Sequence, residues 1–442
     1  MKIRRALVAQ LAIVCVLATR ASAERYDLER CLDLALDAST NVGIAREQLS
    51  TARGGVMRSY GVLMPDLRMN AWLGHSFSGP TTGVFVDAQG RPVQPIGANY
   101  EAYTFSLQSQ MPIFDWGANI NSIKRSKSNA EAAAYQLDYN RDLVKAAVIR
   151  EYYDLVRQRK LRDVQMADVD AKKRNLEQVE AFYKIGSRTK ADFLQARVDM
   201  SNSQLQLMTR QNAEAIAEAR LKSRLNVPQD TPLEIDESIE FAPGQFDLVS
   251  EISYMFDHRS DLLATRQDIE AAKAGLSVTE KARYPSLTGS FSYSWNDRTF
   301  PEDGAAFKRD YVWQVGIFLN WPIFDRFQTK ANIQDAKAQY RIAEYNLQQA
   351  KIDAVLDLKQ IMLNLDQATQ RLSLAEETVA AAEENRRLAD ERYRVGAGTI
   401  LETIEASTSL LSAQASLIDA RTDYLVSRAD LQRATGRKVT SR

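Results

Sequence analysis

Four segments of the chain repeat every second residue. Leu67, Met69, Ala71 and Leu73 alternate with Asp66, Arg68, Asn70 and Trp72, and Tyr103, Phe105, Leu107, Ser109 and Met111 alternate with Thr104, Ser106, Gln108 and Gln110. Further on, Leu287, Gly289, Phe291, Tyr293 and Trp295 alternate with Thr288, Ser290, Ser292 and Ser294, and Tyr311, Trp313, Val315, Ile317, Leu319 and Trp321 with Val312, Gln314, Gly316, Phe318 and Asn320. Period two is the mark of a strand with two unlike faces, and about 10 residues is the length of a tilted strand crossing a bilayer. A second period governs the rest. From Ala118 to Ile185 there is no Gly or Pro for 68 residues, and from Ile323 to Val395 none for 73; Ser187–Val227 and Thr399–Thr435 are equally clean. In the second long stretch a seam runs Leu347, Ala350, Ala354, Leu358, Ile361, Leu365, Ala368, Leu372, Ala375, Val379, Ala382, in steps of three and four. That spacing predicts helices packed side by side, and a 68-residue helix would be about 100 Å long.

The chain is also written twice. Met111-Pro112-Ile113-Phe114-Asp115 matches Trp321-Pro322-Ile323-Phe324-Asp325, and Tyr183-Lys184-Ile185-Gly186 matches Tyr393-Arg394-Val395-Gly396, both at an offset of 210; Thr189 and Thr399 keep it. Asp27-Leu28 against Asp247-Leu248, and Pro65-x-Leu67 against Pro285-x-Leu287, give 220, so the first half has the longer hairpin loop. An ordered series at nearly constant offset is an internal duplication. The expected organisation is therefore a first repeat over 24–227, with a β-hairpin at about 66–113 and a helical tip at 183–192. A linker at 228–245 follows, rich in Pro, and then a second repeat over 246–442, with a hairpin at about 286–321 and a tip at 393–405.

The N-terminus changes the compartment. Lys2, Arg4 and Arg5 precede an apolar run from Ala6 to Ala18 and then Ala21-Ser22-Ala23, which are the three parts of a secretory signal peptide spanning 1–23. Composition excludes several functions. The 57 Lys and Arg balance 57 Asp and Glu, so nucleic-acid binding has no electrostatic basis. Two His and two Cys make a His/Cys metal centre hard to assemble, and one of the two Cys lies in the signal segment, leaving Cys31 without a partner. His75 and His258 have no paired acid or nucleophile, and a Gly-rich phosphate loop is absent. The expectation is a protein that is not an enzyme, takes no cofactor or metal, and relies on a partner for energy.

Four strands cannot close a barrel, and an open edge in lipid leaves backbone groups unpaired at several kcal/mol each. The aromatic ends of the apolar rows and the Ser, Thr, Gln and Asn of the opposite rows suit a barrel around water. Eight strands leave an interior filled by side chains, so three copies and twelve strands are favoured over two copies and eight. The expected fold is a membrane β-barrel continued by a long helical tube, with the loops Gly79–Asn99 and Thr299–Arg309 outside the cell. Two blander alternatives compete: a soluble sheet with one wet face, and an exported coiled-coil tether without a pore.

With the duplication, the two hairpins, the Pro-Ile-Phe-Asp junctions and the tip motifs Tyr-x-(Ile/Val)-Gly-x-x-Thr in place, the mature chain resembles the TolC-like outer-membrane efflux proteins along its whole length. The resemblance implies a homotrimer in outer-membrane lipid with a long periplasmic extension. It implies docking on a periplasmic adaptor and an inner-membrane pump, and passage of drugs, other small molecules or proteins through a passive duct.

Gly186 and Gly396 each end a long helix, as a left-handed residue after a C-cap does, and Thr189-x-x-Asp192 and Thr399-x-x-Glu402 read as capping boxes opening the returning helices. Glu402 and Glu405 lie one turn apart, and threefold symmetry would set six carboxylates around the closed end, a ring that selects cations. For Glu402 the capping role competes. The resemblance implies that Glu402 and Glu405 line a periplasmic aperture, and that Tyr393 and Asp192 belong to the contacts that close it. Gly398 stands where the family has a basic residue, and Arg188 in the other tip is the candidate to replace it.

Overall fold

The computed structural model describes residues 25–79, 85–86, 88–89, 92–93, 98–237, 246–301 and 303–438. The expected signal peptide (1–23), much of the loop 79–99 and the end of the segment 228–245 lie outside them.

Each half runs short helix, helix, strand, strand, long helix, returning helix. The first has β1 (Arg25–Tyr26), α1 (Leu28–Ala38), α2 (Thr40–Gly61), β2 (Arg68–Ser78), the two-residue strands β3 (Phe85–Val86) and β4 (Pro92–Val93), β5 (Ala98–Phe114), α3 (Ala118–Lys184) and α4 (Lys190–Leu225). After β6 (Glu234–Ile235) the second has α5 (Leu248–His258), α6 (Ser260–Lys281), β7 (Ser286–Asp297), β8 (Tyr311–Asn320), α7 (Gln328–Arg394) and α8 (Ile400–Thr435). α3 and α7 are 67 residues each, and α4 and α8 are 36 each. Among the described residues no helix is long and apolar enough to cross a membrane.

The chain forms two compact units, and each draws on both repeats. One comprises residues 48–134 and 264–348, the other the remainder. The first holds the sheet, in order β2-β5-β7-β8 with every neighbouring pair antiparallel. The register carries the alternation across all four strands. Met69, Leu107, Tyr293 and Trp313 form one row, and Ala71, Phe105, Trp295 and Tyr311 the next on the same face. Arg68, Gln108, Ser292 and Gln314, then Asn70, Ser106, Ser294 and Val312, form the intervening rows on the other face. One face is thus apolar and aromatic and the other largely hydroxyl and amide, although Trp72 interrupts the polar face. A Cβ on Gly74 would lie 2.6 Å from the Trp72 ring, so the ring rests on a bare glycine. Among the described residues β2 and β8 each have one edge without a strand partner, and all ten residues of β8 are exposed.

Trp295 departs from the aromatic girdle expected at the strand ends. Residues 306–308 form a 3-10 turn that folds back over the strand, and Trp295 is completely buried beneath it. Its ring lies 4.9 Å from Phe307 and 5.7 Å from Phe105, and its Nε1 donates to the Ala306 carbonyl at 3.0 Å. The indole finds apolar cover and a hydrogen-bond acceptor together, which an interfacial position would give only in part.

The Pro-Ile-Phe-Asp motifs turn strand into helix. Asp115 accepts from the Gly117 and Asn119 amides at 3.0 and 2.7 Å, and Asp325 from the Thr329 amide at 2.7 Å, so each carboxylate satisfies orphan donors at the start of a long helix. Hydrogen bonds from the Thr329 hydroxyl and then its amide hold the Asp325 carboxyl below the usual range. Both turns need two consecutive left-handed residues: Trp116 and Gly117 (φ 59° and 82°), and Arg326 and Phe327 (φ 55° and 67°).

In the second unit the duplicated halves make matching cores. Leu28, Cys31, Leu32 and Ala35 of α1 are buried with Val148, Ile149, Tyr152, Leu155 and Val156 of α3 and Leu221 and Leu225 of α4. Met255 of α5 and Leu262 are buried with Ala354, Leu358, Ile361 and Leu365 of α7 and Tyr424, Leu425 and Leu431 of α8. Eight of the eleven seam positions on α7 are fully buried, from Ala354 to Ala382, and Leu347, Ala350 and Val379 half so. Alanine at so many of them lets the helices approach closely. The segment 228–245 is more than a connection: β6 pairs in parallel with β1, and Leu233 and Ile235 enter the first core.

A second apolar stripe on the helices has no cover among the described residues. Ile352, Leu356, Leu363, Leu374 and Leu388 of α7 are 45–62% exposed, and Leu194, Val198, Leu205, Met208 and Ile216 of α4 are 45–64% exposed.

Candidate functional site

The two tips are built by local chemistry. After α3, Gly186 sits at φ 77°; its amide bonds the Tyr183 carbonyl and the Ser187 amide the Phe182 carbonyl. After α7, Gly396 at φ 79° repeats the turn: its amide bonds the Tyr393 carbonyl and the Ala397 amide the Arg392 carbonyl. These bonds close the last helical carbonyls, and only glycine takes the left-handed angle without strain. Thr189 and Asp192 form a full capping box: the Asp192 amide donates to Thr189 Oγ1 at 3.2 Å, and the Thr189 amide donates to Asp192 Oδ2 at 3.1 Å. Tyr183 and Phe193 stack across the first tip, centroids 5.7 Å apart and 9° from parallel.

The second tip differs in one bond. The Glu402 amide donates to Thr399 Oγ1 at 3.2 Å, but the Glu402 carboxylate accepts from the Thr399 hydroxyl at 3.3 Å, not from a backbone amide. Its other oxygen lies 3.7 Å from Arg392 Nη2. Glu402 is therefore engaged locally, while Glu405, one turn on, is exposed and has no ion-pair or hydrogen-bond partner among the described residues.

The structure brings Arg188 and Tyr393 together. The Arg188 guanidinium lies over the Tyr393 ring, 4.9 Å from its centroid, and both side chains are half-buried. This cation–π contact joins the tip of one repeat to the tip of the other. Asp192 commits its carboxylate to its own cap. Gly398 is crowded: a Cβ there would lie 3.1 Å from Arg392 Cβ, 3.2 Å from Glu402 Oε2 and 3.2 Å from the Tyr393 amide nitrogen. A long basic side chain at 398 would have to displace the Arg392–Glu402 pair, and the cation over the Tyr393 ring is Arg188 of the opposite tip.

Sequence reasoning overlooked Arg392, Phe193 and Thr403. Arg392 and Phe193 carried a signal in principle, since each lies ten residues across a glycine turn from its partner. Thr403 did not. Its hydroxyl oxygen is buried without a hydrogen-bond partner among the described residues, and it lines a cavity of about 610 Å³ between the tips.

The outer membrane efflux protein family matches the chain over residues 31–227 and 252–437, that is, over both repeats. The outer membrane protein TolC of Vibrio cholerae is 23% identical over 301 residues, 65% of this chain and 66% of that protein. The putative multidrug resistance outer membrane protein MdtQ of Escherichia coli is 23% identical over 266 residues, 59% of this chain and 54% of that one. The chain thus spans between half and two thirds of the length of these relatives. Among solved structures, the outer membrane protein VceC of Vibrio cholerae superposes with a TM-score of 0.78 at 20% identity, covering 93% of this chain and 97% of that one. At that identity the likeness is one of fold. Two matched halves, a shared fold and tip motifs at equivalent places in both repeats lead to one conclusion: the chain belongs to the outer membrane efflux protein family.

Proposed function

We propose that the protein is the passive outer-membrane duct of a tripartite efflux or secretion system, acting as a homotrimer whose twelve strands close one barrel. The observation that carries this reading is the four-stranded sheet with one apolar face and two unpaired edges. In lipid an unpaired edge is excluded, and pairing β2 of one copy with β8 of the next removes every edge at once. The uncovered apolar stripes of α4 and α7 support the same assembly, because a second helix seam on each copy asks for a neighbour. The relatives carry outer-membrane and multidrug-resistance names, in keeping with this role.

In this reading the two tips of each copy meet at the periplasmic end. Glu405, and Glu402 less freely, ring the aperture and favour cations. The Arg188–Tyr393 contact, with Asp192 fixing the first tip, holds the end closed. A periplasmic adaptor and an inner-membrane pump complete the duct and supply the energy. The repeats 24–227 and 246–442 contribute equivalent halves, joined through 228–245.

Light scattering in detergent should give three copies per particle, and planar bilayers should show a small cation-selective conductance. Glu405→Gln should lower the cation preference more than Glu402→Gln, whose carboxylate is partly neutralised by Arg392. A monomer in detergent with no conductance would remove the duct reading.

A further inference from the structure

We propose that the seam between copies has a fixed register that sets Trp72 of one copy beside Phe318 of the next on the polar, lumenal face, and that each such pair binds planar aromatic solutes. The proposal rests on the duct reading, which supplies the β8–β2 seam, and adds the register of that seam and the ligand chemistry it creates.

The duplication dictates the register. β2 maps onto β7 at an offset of 220, and β5 onto β8 at an offset of 210. The two hairpins already obey this mapping. Arg68 pairs with Gln108, and their counterparts Thr288 and Phe318 pair with each other; Leu73 with Tyr103 and Tyr293 with Trp313 agree. Between the hairpins, β5 pairs with β7. The counterpart of that ladder is β8 against β2, which adjacent copies can form and a single open sheet does not. Under the mapping Leu107–Tyr293, Gln108–Ser292 and Gln110–Ser290 become Ile317–Leu73, Phe318–Trp72 and Asn320–Asn70 across the seam. A slip of one residue would set the apolar row of β8 beside the polar row of β2, so the alternation enforces the same choice of faces.

The seam therefore joins two exceptions on a face of hydroxyls and amides. Trp72 is 51% exposed and Phe318 65%. The Trp72 ring leans over Gly74, and the register places Gly316 of the next copy opposite that glycine, so no side chain crowds the ring from either strand. Directly opposed residues have Cβ atoms about 4.5–5.5 Å apart, which brings indole and phenyl into one continuous apolar shelf. At the internal seam the same place holds Gln108 and Ser292, so the shelf forms only between copies.

The width of the barrel decides what such shelves can do. Twelve strands about 4.8 Å apart and tilted by about 40° enclose a barrel about 24 Å across. Rings on its wall cannot meet over that distance, so they hold a solute without closing the duct. An apolar ring pair in a water-filled lumen is a place where a flat apolar molecule leaves water by stacking, and a positive charge on that molecule gains further from the ring faces.

Two measurements on the full-length protein test the proposal. In a Cys31→Ala background, Asn70→Cys with Asn320→Cys should form a disulfide between copies on mild oxidation, because directly opposed residues meet the Cα separation of about 4.4–6.8 Å that the bond requires. Asn70→Cys with Gly316→Cys, two rows away, should not. Any other pattern would overturn the register. The second measurement uses lipid nanodiscs and a Glu405→Gln background, which removes the proposed acid ring from competition. Fluorescence anisotropy of an acridinium dye should show one site per copy. Giving the pair its internal counterparts, Trp72→Ser with Phe318→Gln, should weaken binding at least tenfold, whereas Trp72→Phe should retain most of it. Equal affinity in the Ser/Gln variant would overturn the ligand site. So would competition by the non-aromatic cation tetraethylammonium, which would mark a generic cation site. Conductance without dye tests the duct separately: a conducting trimer whose Asn70/Asn320 cysteines stay unlinked refutes the register alone, and a monomer that never conducts refutes the duct.

Discussion

Replacing Tyr393 by Leu keeps apolar bulk at the second tip and removes the ring on which Arg188 rests. The guanidinium lies 4.9 Å from the ring centroid, inside the range of an effective cation–π contact, and both groups are half-buried. Such contacts are worth about 0.5–1 kcal/mol at exposed sites and about 2 when desolvated, so about 1 kcal/mol per copy is expected here. Three equivalent contacts in the proposed trimer sum to about 3 kcal/mol. At about 1.4 kcal/mol per tenfold, losing all three shifts the closed-to-open ratio by about 100-fold. Single-channel recording of Arg188→Gln, Tyr393→Leu and the double variant reads this directly, as open probability in a double-mutant cycle. Each single variant should open more, and the double variant no more than either. Tyr393→Phe should be close to silent, because the ring remains and the phenol makes no hydrogen bond among the described residues. Additive effects of the two single variants, or unchanged open probability in both, would show that this contact does not hold the tips.

Three further outcomes follow from the sheet and the cores. Arg at Phe291 or Ile317, on the apolar face, should cost about 2–4 kcal/mol of folding stability in lipid vesicles, while Gln314→Arg on the opposite face is tolerated; equal losses would mean that the sheet does not divide lipid from water. Trp295→Ala should lose about 3–5 kcal/mol in urea unfolding, and Trp295→Phe only about 0.5–1.5, because the phenyl ring keeps the packing on Phe105 and Phe307 and loses the bond to Ala306. Cys31 is fully buried, and burial, helped by the Asp27 charge, raises its thiol from 9.0 to about 12. It should resist maleimide in the native protein and label fully in denaturant. Because the unfolded chain releases the proton first, its contribution to stability is complete below pH 9.0 and falls as the pH rises towards about 12, a limb that Cys31→Ala should flatten.

Most of the architecture was legible because it rests on short-range rules. Period two marked the four strands, and the absence of Gly and Pro marked the 67-residue helices, since neither signal depends on distant contacts. The seam on α7 could be read for the same reason, because buried positions on a straight helix recur at a fixed step. The tips were legible through Gly186, Gly396 and the threonine caps, whose geometry is set within six residues. Contacts between distant segments were harder. Arg188 was suggested only by the missing base at 398, and the reason for Gly398, crowding by Arg392, Glu402 and the Tyr393 backbone, appears only once the turn is folded. Trp295 was assigned by its alternation to a girdle, and only the return of residues 306–308 shows it as core. The pairing of β6 with β1 had no periodic signal, because two residues are too few to have a period.

The buried seam of α7 also limits how a protein of this kind can change in length. Each residue added to a helix turns everything beyond it by about 100° and advances it by about 1.5 Å. One extra residue between Leu365 and Leu372 would swing the buried row beyond it onto the surface and carry Arg392 and Tyr393 around with it. Seven residues nearly restore the facing, but only if the returning helix α8 gains seven at the same level, and α3 and α4 as well if the two tips are still to meet. Lengthening is therefore stepwise and concerted, in blocks of about 10 Å across four helices. The loop between β2 and β5 is under no such rule, since it is closed by the β2–β5 ladder whatever its length. The ten-residue difference between the repeats falls in that loop, and the distance from Asp115 to Gly186 is the same as from Asp325 to Gly396.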